Sequence, residues 1–200
     1  MKVYKFGGTS VGSPERFRAL IPLISDGETK IVVLSAMAGT TNALLEISGL
    51  YSEGSTDSAL RLAEQLREKY YKVADELFTT SECASKARNL IDEQFSFITD
   101  LFARPFSLHN EKRIVARGEL LSTALLHFLL TELGIPSLLI PALSFMRIDK
   151  DGEPDYFYIR ENLRRGLSVM KEEKIIITQG FICRNVNGET DNLRRGGSDY

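Results

Sequence analysis

The chain has no tryptophan, and among its 200 residues are only two cysteines and two histidines. Cys83 and Cys183 are far apart and neither belongs to a Cys-x-x-Cys pair, which excludes a disulfide framework and a cysteine-based zinc site. The expected compartment is therefore the reducing cytoplasm. His109 and His127 stand singly and are read as structural or solvent-facing side chains, so no metal-ligating set is expected. An excess of charge of either sign is also missing: 25 Lys and Arg face 27 Asp and Glu, a formal net charge of −2, which gives no reason to expect nucleic acid as a partner. The most apolar stretch, 120–133, is interrupted by Ser122, Thr123, His127 and Glu132, and no basic, apolar leader precedes the first strand. Neither a membrane span nor a signal segment is expected. No Walker A loop and no Gly-x-Gly-x-x-Gly fingerprint follows any strand, which argues against a P-loop enzyme or a nicotinamide-binding domain.

What is present suits an α/β protein. A hydrophobic fraction of 43% and a charged fraction of 26% are those of a soluble globular chain, and this length can bury ~70% of its surface. Residues 1–6 alternate polar and apolar with the β-formers Val3, Tyr4 and Phe6, and Gly7-Gly8 then allows backbone angles that other residues resist. Ser13-Pro14-Glu15 is a helix start, with a hydroxyl N-cap, proline at the first position and an acid in the first turn. A strand, a Gly-Gly loop and a helix in that order offer free amides and a helix N-terminus to an anion. Lys5, just before the glycines, would emerge at the C-terminal end of a strand, where α/β folds place ligands. Read alone, it is equally a surface lysine on an edge strand.

The pattern then repeats. Ile31 to Leu34 reads as a strand buried on both faces, followed by the small, hydroxyl-rich loop Ser35-Ala36-Met37-Ala38-Gly39-Thr40-Thr41-Asn42 and a further helix. Ser35 and Thr41 are candidate donors to an anionic group, although an ordinary strand-to-helix loop has the same composition. From 58 to about 102, apolar positions such as Leu62, Leu66, Tyr70, Val73 and Leu77 recur at helical spacing. This region is expected to be an inserted helical hairpin, a lid or a partner surface, and it carries no legible chemistry. A helix is expected from about Glu111 to Leu133, with Glu119 at the edge of its apolar stripe. There the carboxylate either turns to solvent or meets a cation, because an unpaired buried charge is expensive. Ser137 to Ile140 reads as a strand, 157–171 as a helix, Ile175 to Gly180 as a strand ending in glycine, and Asn187-Gly188 as a hairpin turn. The alternation predicts a mostly parallel sheet covered by helices on both faces. The final Arg195-Gly196-Gly197-Ser198-Asp199 is another candidate anion loop, and because such a loop leads into a helix, the chain reads as a fragment cut within a larger domain.

At this point the chain resembles the aspartokinases, members of the amino-acid kinase family. Lys5 to Val11 resembles their amino-terminal KFGGTSV motif and Leu34 to Asn42 their serine-rich loop. Arg117-Gly118-Glu119 with Ser122 is similar to their helix segment, Ile177 to Ile182 to their central strand, and Arg195 to Asp199 to their second kinase signature. These motifs occur in order along the whole chain. The departure is Arg194, where the family usually has glycine.

The resemblance implies transfer of the γ-phosphoryl group of ATP to the side-chain carboxylate of L-aspartate, the first step toward lysine, threonine and methionine. Lys5 and Asp199 are the implied catalytic residues, with Lys5 neutralising the moving phosphoryl group, Asp199 orienting Lys5, and the amides of Gly7 and Gly8 holding phosphate oxygens. Arg195 would receive a substrate carboxylate and Glu119 the α-ammonium, while Ser35, Thr41, Phe181 and Ser198 line the pocket. ATP with Mg2+ is the implied co-substrate, neither fully bound by residues 1–200, which would form the substrate-binding part of the kinase domain without its nucleotide half or regulatory domains. Such a fragment is expected to be inactive alone, to expose an unpaired strand edge, and to belong to a protein that is a homo-oligomer. Two alternatives remain: another amino-acid kinase, acting on acetylglutamate, glutamate, carbamate or uridylate, or a non-catalytic ligand-binding or subunit-interaction module.

Overall fold

A computed structural model of the chain describes residues 1–193. Its centre is a parallel four-stranded sheet in the order β1-β2-β4-β3, formed by β1 (Lys2–Phe6), β2 (Lys30–Leu34), β3 (Ser137–Leu139) and β4 (Ile175–Gln179). β1, β2 and β4 end level, because Phe6 is in register with Leu34 and Leu34 with Gln179. The loops leaving these strands therefore emerge side by side. The pleat splits the strands between two cores. Tyr4, Phe6, Val32, Leu34, Ile175 and Ile177 face the main core, while Ile31 and Ile176 face a smaller one with Ile140 and Phe145.

Helices lie on both faces. α1 (Pro14–Ile24) begins as its sequence specifies: Ser13 Oγ accepts from the amide of Arg16, Pro14 occupies the first turn, and Phe17, Leu20 and Ile24 enter the main core. α2 (Thr40–Ser52) follows the loop after β2. The expected long helix is present as α5 (Leu108–Val115) and α6 (Arg117–Glu132), separated at Ala116. Ala116 keeps helical angles, φ −59° and ψ −20°, so the apolar stripe continues through the junction and its periodicity does not reveal the break. α6 is buried on nearly every side. This apolar stretch is long enough to span a membrane, yet it is a core helix, with Leu121, Leu125, Leu126, Leu129 and Leu130 all in the main cluster. On the second face α7 (Tyr156–Leu167) covers β3 and β4 through Ile159, Leu163 and Leu167. Its cover stops short of β1, where Val3 is 65% exposed.

The region expected to be a hairpin consists of α3 (Thr56–Leu77) and α4 (Ser81–Leu101). It is not a loose lid, because Tyr70, Leu77, Ile91 and Ile98 are wholly buried in the same core as the sheet. Its tip is also tied down: Glu132 at the end of α6 accepts from the amides of Thr79 and Thr80 and from the Thr80 hydroxyl. After β4, β5 (Ile182–Arg184) and β6 (Thr190–Asn192) form the expected hairpin, with Gly188 at φ +78°. Ile31 and Val33 are half-buried, short of the full burial expected for β2.

Candidate active site

The level strand ends bring the first and second loops into contact. The amide of Ser35 donates to the carbonyl of Phe6 at 3.1 Å, that of Ala38 to Gly8 at 3.1 Å, and that of Gly180 to Leu34 at 3.0 Å. The first loop is a short 3-10 helix, Gly8–Val11, with Gly7 as its N-cap and no side-chain cap. Its glycines serve a purpose different from the one expected. Gly7 has φ −75°, and Gly8 is not among the glycines with positive φ, so neither needs a left-handed backbone. What Gly8 provides is closeness, since a Cβ there would lie 2.7 Å from the carbonyl oxygen of Ala36. Around Gly7 there is space among the described residues, none of which, its chain neighbours aside, has an atom within 4 Å of an added Cβ.

α6 closes the second loop from the other side. A Cβ on Gly118 would lie 2.7 Å from the Ala36 methyl and 3.2 Å from Thr40 Cγ2, so only glycine lets the helix approach this far. That approach carries Glu119 inside, where it is 2% exposed. Of the two orientations left open by its sequence, the structure has the buried one. Glu119 Oε1 accepts from the amide of Ala36 at 3.2 Å, whereas Oε2 is buried with no hydrogen-bond partner among the described residues. Burial pushes its pKa up to about 7, opposed by the Ala36 amide. No described residue forms an ion pair with it.

The surrounding hydrogen bonds fix the helix turn that carries this carboxylate. Ser122 Oγ donates to the Ser35 carbonyl at 2.8 Å, and Thr123 Oγ1 to the Glu119 carbonyl at 2.7 Å. Gln179, the buried last residue of β4, donates from Nε2 to Thr123 Oγ1 and accepts from the amide of Ala142, both at 2.7 Å. Sequence reading missed Gln179 as an organiser. An amide at the end of the apolar run Ile175-Ile176-Ile177 was the available signal, because a buried amide requires partners. Phe181 lies one residue further on, after Gly180, and packs on the main core, and its carbonyl accepts from the amide of Leu193 at 2.9 Å. The last described residue thus lies against the site. Thr41 is half-buried in the first turn of α2.

Lys5 lies on the opposite face of β1 from Tyr4 and Phe6 and is exposed. Its register partners across the sheet are Val33 and then Thr178, whose hydroxyl is buried without a partner among the described residues. Of the expected site residues, Gly8, Ser35 and Glu119 are brought together through Ala36, Ala38 and Ser122, with Gly7 directly before Gly8, Lys5 near the end of β1, Thr41 at the start of α2 and Phe181 just past the end of β4. Arg195, Ser198, Asp199 and the departure at Arg194 lie outside the described residues. His127 is half-buried beside Ser137 at 2.8 Å, with its pKa lowered by burial, and belongs to the core packing of α6.

Comparison with known proteins agrees with this architecture. The model of the amino acid kinase family matches residues 1–200. The chain belongs to that family. It is 31% identical to lysine-sensitive aspartokinase 3 of Escherichia coli K12 and 30% identical to an aspartokinase of Chlamydia trachomatis, in each case over 99% of this chain and 44% of the relative. The crystal structure of E. coli aspartokinase III in complex with aspartate and ADP matches with a TM-score of 0.79 at 29% identity, over 100% of this chain and 45% of that one. The chain thus spans less than half the length of these relatives. Family membership accounts for the sheet with its loops at one edge.

Proposed function

We propose that this chain supplies the amino-acid-binding part of an aspartate kinase, which transfers the γ-phosphoryl group of ATP to the side-chain carboxylate of L-aspartate. The observation that carries the reading is Glu119. A carboxylate held almost out of water, with one oxygen satisfied by a backbone amide and the other by none of the described residues, is arranged to receive a cation that is not part of the described chain. At the junction of two glycine- and hydroxyl-rich loops, the cation that fits is the α-ammonium of an amino acid. The similarity to aspartokinases supports aspartate as that amino acid.

The remaining residues follow from charge. The attacking carboxylate and the γ-phosphoryl group are both anionic, so their encounter needs positive potential that is stronger in the transition state than before it. Lys5, at the strand end beside the uncapped turn at Gly8, supplies that charge, and the open space at Gly7 lets phosphate oxygens reach the backbone. Arg195 would take the substrate α-carboxylate, Ser198 would line the pocket, and Asp199 would orient Lys5. Magnesium would arrive as part of the nucleotide substrate. The described residues contain no group of three or more His, Cys, Asp and Glu placed to hold a metal, and no step here is assigned to one. We also propose that the nucleotide site lies largely in sequence beyond residue 200, that the intact enzyme acts in synthesis of lysine, threonine and methionine in the cytoplasm, and that it is a homo-oligomer.

Calorimetry with L-aspartate, N-acetyl-L-aspartate and N-acetyl-L-glutamate tests the reading. L-Aspartate should bind and the acetylated acids should not, because acetylation removes the ammonium that Glu119 requires. Preferential binding of an acetylated acid would sink the proposal and favour a different amino-acid kinase. For turnover, residues 1–200 alone should form no ATP-dependent aspartyl phosphate trapped as its hydroxamate, whereas the kinase extended through its nucleotide half should.

A further inference from the structure

The α3–α4 hairpin reaches the substrate loop at one place. Successive residues of α3, Lys69 and Tyr70, hold the two residues that flank Gly39. Lys69 Nζ donates to the Ala38 carbonyl at 3.1 Å, and the Tyr70 hydroxyl shares a 3.0 Å hydrogen bond with Thr40 Oγ1. Between these anchors Gly39 turns the chain at φ +79° into α2, a helix with no side-chain cap of its own. Tyr70 and Thr40 are both 0% exposed. A position that only filled space would be served by phenylalanine, since a phenol hydroxyl buried without a partner is unfavourable. Here the hydroxyl is spent on the residue directly before Thr41. Burial, reinforced by the nearby Glu119 carboxylate, holds the phenol far above its ordinary pKa, so the hydroxyl keeps its proton throughout the physiological range.

We infer that Tyr70 is a positioning residue for the amino-acid substrate: through Thr40 it fixes the Ser35–Thr41 loop, and with it the wall of the aspartate site that holds Glu119 through the Ala36 amide. The inference rests on the reading of that site proposed above. Tyr70 touches no substrate itself. Lys69, exposed and bonded to a backbone carbonyl, is the weaker anchor. The hairpin, without legible chemistry in the sequence, thereby acquires a function at the site.

The test is steady-state kinetics of the complete kinase, with aspartate and ATP varied separately, for the wild type, Tyr70→Phe, Thr40→Val, the double variant and Thr40→Ser. Each of the first two variants should raise KM for aspartate about five- to tenfold, the effect of one lost hydrogen bond, while KM for ATP changes less than about twofold. The double variant should be no worse than the poorer single one, because both remove the same bond. Thr40→Ser keeps the hydroxyl and should restore KM for aspartate to near the wild-type value. A partly unfolded population lowers kcat without separating the two KM values, so the split distinguishes positioning from loss of fold. An unchanged KM for aspartate in Tyr70→Phe, equal rises for both substrates, or single effects that multiply in the double variant would each overturn the inference. A wild-type kinase that does not use aspartate would overturn both this inference and the functional reading, whereas a competent wild type with an unaffected Tyr70→Phe overturns the positioning role alone.

Discussion

The two loops that meet at the strand ends are built in opposite ways. The second, Ser35 to Gly39, is held on every side: by Gly8 through the Ala38 amide, by α6 through Gly118, Glu119 and Ser122, and by α3 through Lys69 and Tyr70. The first, around Gly7, borders open space, and the lysine before it is exposed on a strand at the edge of the sheet. An open groove of about 420 Å³ runs beside that strand, lined by Val3, Tyr4, Lys5, Phe6 and Leu23. The contrast matches two tasks. A binding site for a small amino acid gains from walls that are ordered before the ligand arrives, whereas a phosphoryl group that must enter, react and leave needs an approach that is not packed shut.

If this division holds, the largest effect belongs to the open side. Lys5→Ala in the complete kinase should lower kcat by roughly 10³-fold, the scale for removing an electrostatic group that acts on the transition state, with aspartate affinity nearly unchanged. Lys5→Arg should fail as well, because a planar guanidinium does not replace a compact ammonium. Retention of most turnover by Lys5→Ala would remove it from the mechanism. On the closed side, Glu119→Ala should weaken aspartate binding by about ten- to a hundredfold, or ~1.5–3 kcal/mol, the range for a hydrogen bond to a charged group. Unaltered aspartate affinity in that variant would show that Glu119 is not the ammonium receptor.

The same carboxylate makes binding depend on pH. With its pKa near 7 in the free protein, Glu119 must lose a proton before it can accept an ammonium. Aspartate affinity should therefore rise by up to about tenfold per pH unit below 7 and level off above it, and Glu119→Gln should flatten the profile. The effect on stability has the opposite sign. A carboxyl whose pKa is raised by folding binds more protons folded than unfolded, so its contribution to stability falls as pH rises from its ordinary value of 4.5 toward 7. An aspartate-binding profile that stays level between pH 5.5 and 7.5 in the wild type would contradict the buried, unpaired assignment.

Legibility followed the same division. The alternation of strands with helices, the first helix start and the hairpin turn could be read because they rest on local chemistry: β-branched runs, Ser13 with Pro14, and Asn187-Gly188. Glu119 could be named but not oriented. Helical periodicity places it beside an apolar stripe, while its burial depends on how near Gly118 lets α6 come to Ala36, a contact across 82 residues of sequence. The reason for the first glycine pair was misread for a related cause, since backbone freedom is a local property and the closeness that Gly8 provides depends on the neighbouring loop. Gln179 and Tyr70 escaped notice because a polar group within an apolar pattern announces only that it needs a partner, not where that partner lies.

The smallest expected effects sharpen the contrast most directly, through one methyl group placed on each side. Gly118→Ala gains up to ~1 kcal/mol of helix propensity but puts a carbon against the Ala36 methyl and Thr40, and overpacking of that kind costs about 1–3 kcal/mol. The net should be a loss of about 1–2 kcal/mol and a midpoint lower by roughly 2–8 °C, given ~2–4 °C per kcal/mol at this size. Gly7→Ala meets no atom of the described residues within 4 Å beyond its chain neighbours and keeps an ordinary φ of −75°, so stability should stay within ~0.5 kcal/mol or rise slightly as the unfolded chain loses freedom. Thermal unfolding of the two variants, side by side, decides the matter. A Gly7→Ala protein destabilised as much as Gly118→Ala would mean that the first loop is packed as tightly as the second, and the assignment of the open side to phosphate entry would lose its structural basis.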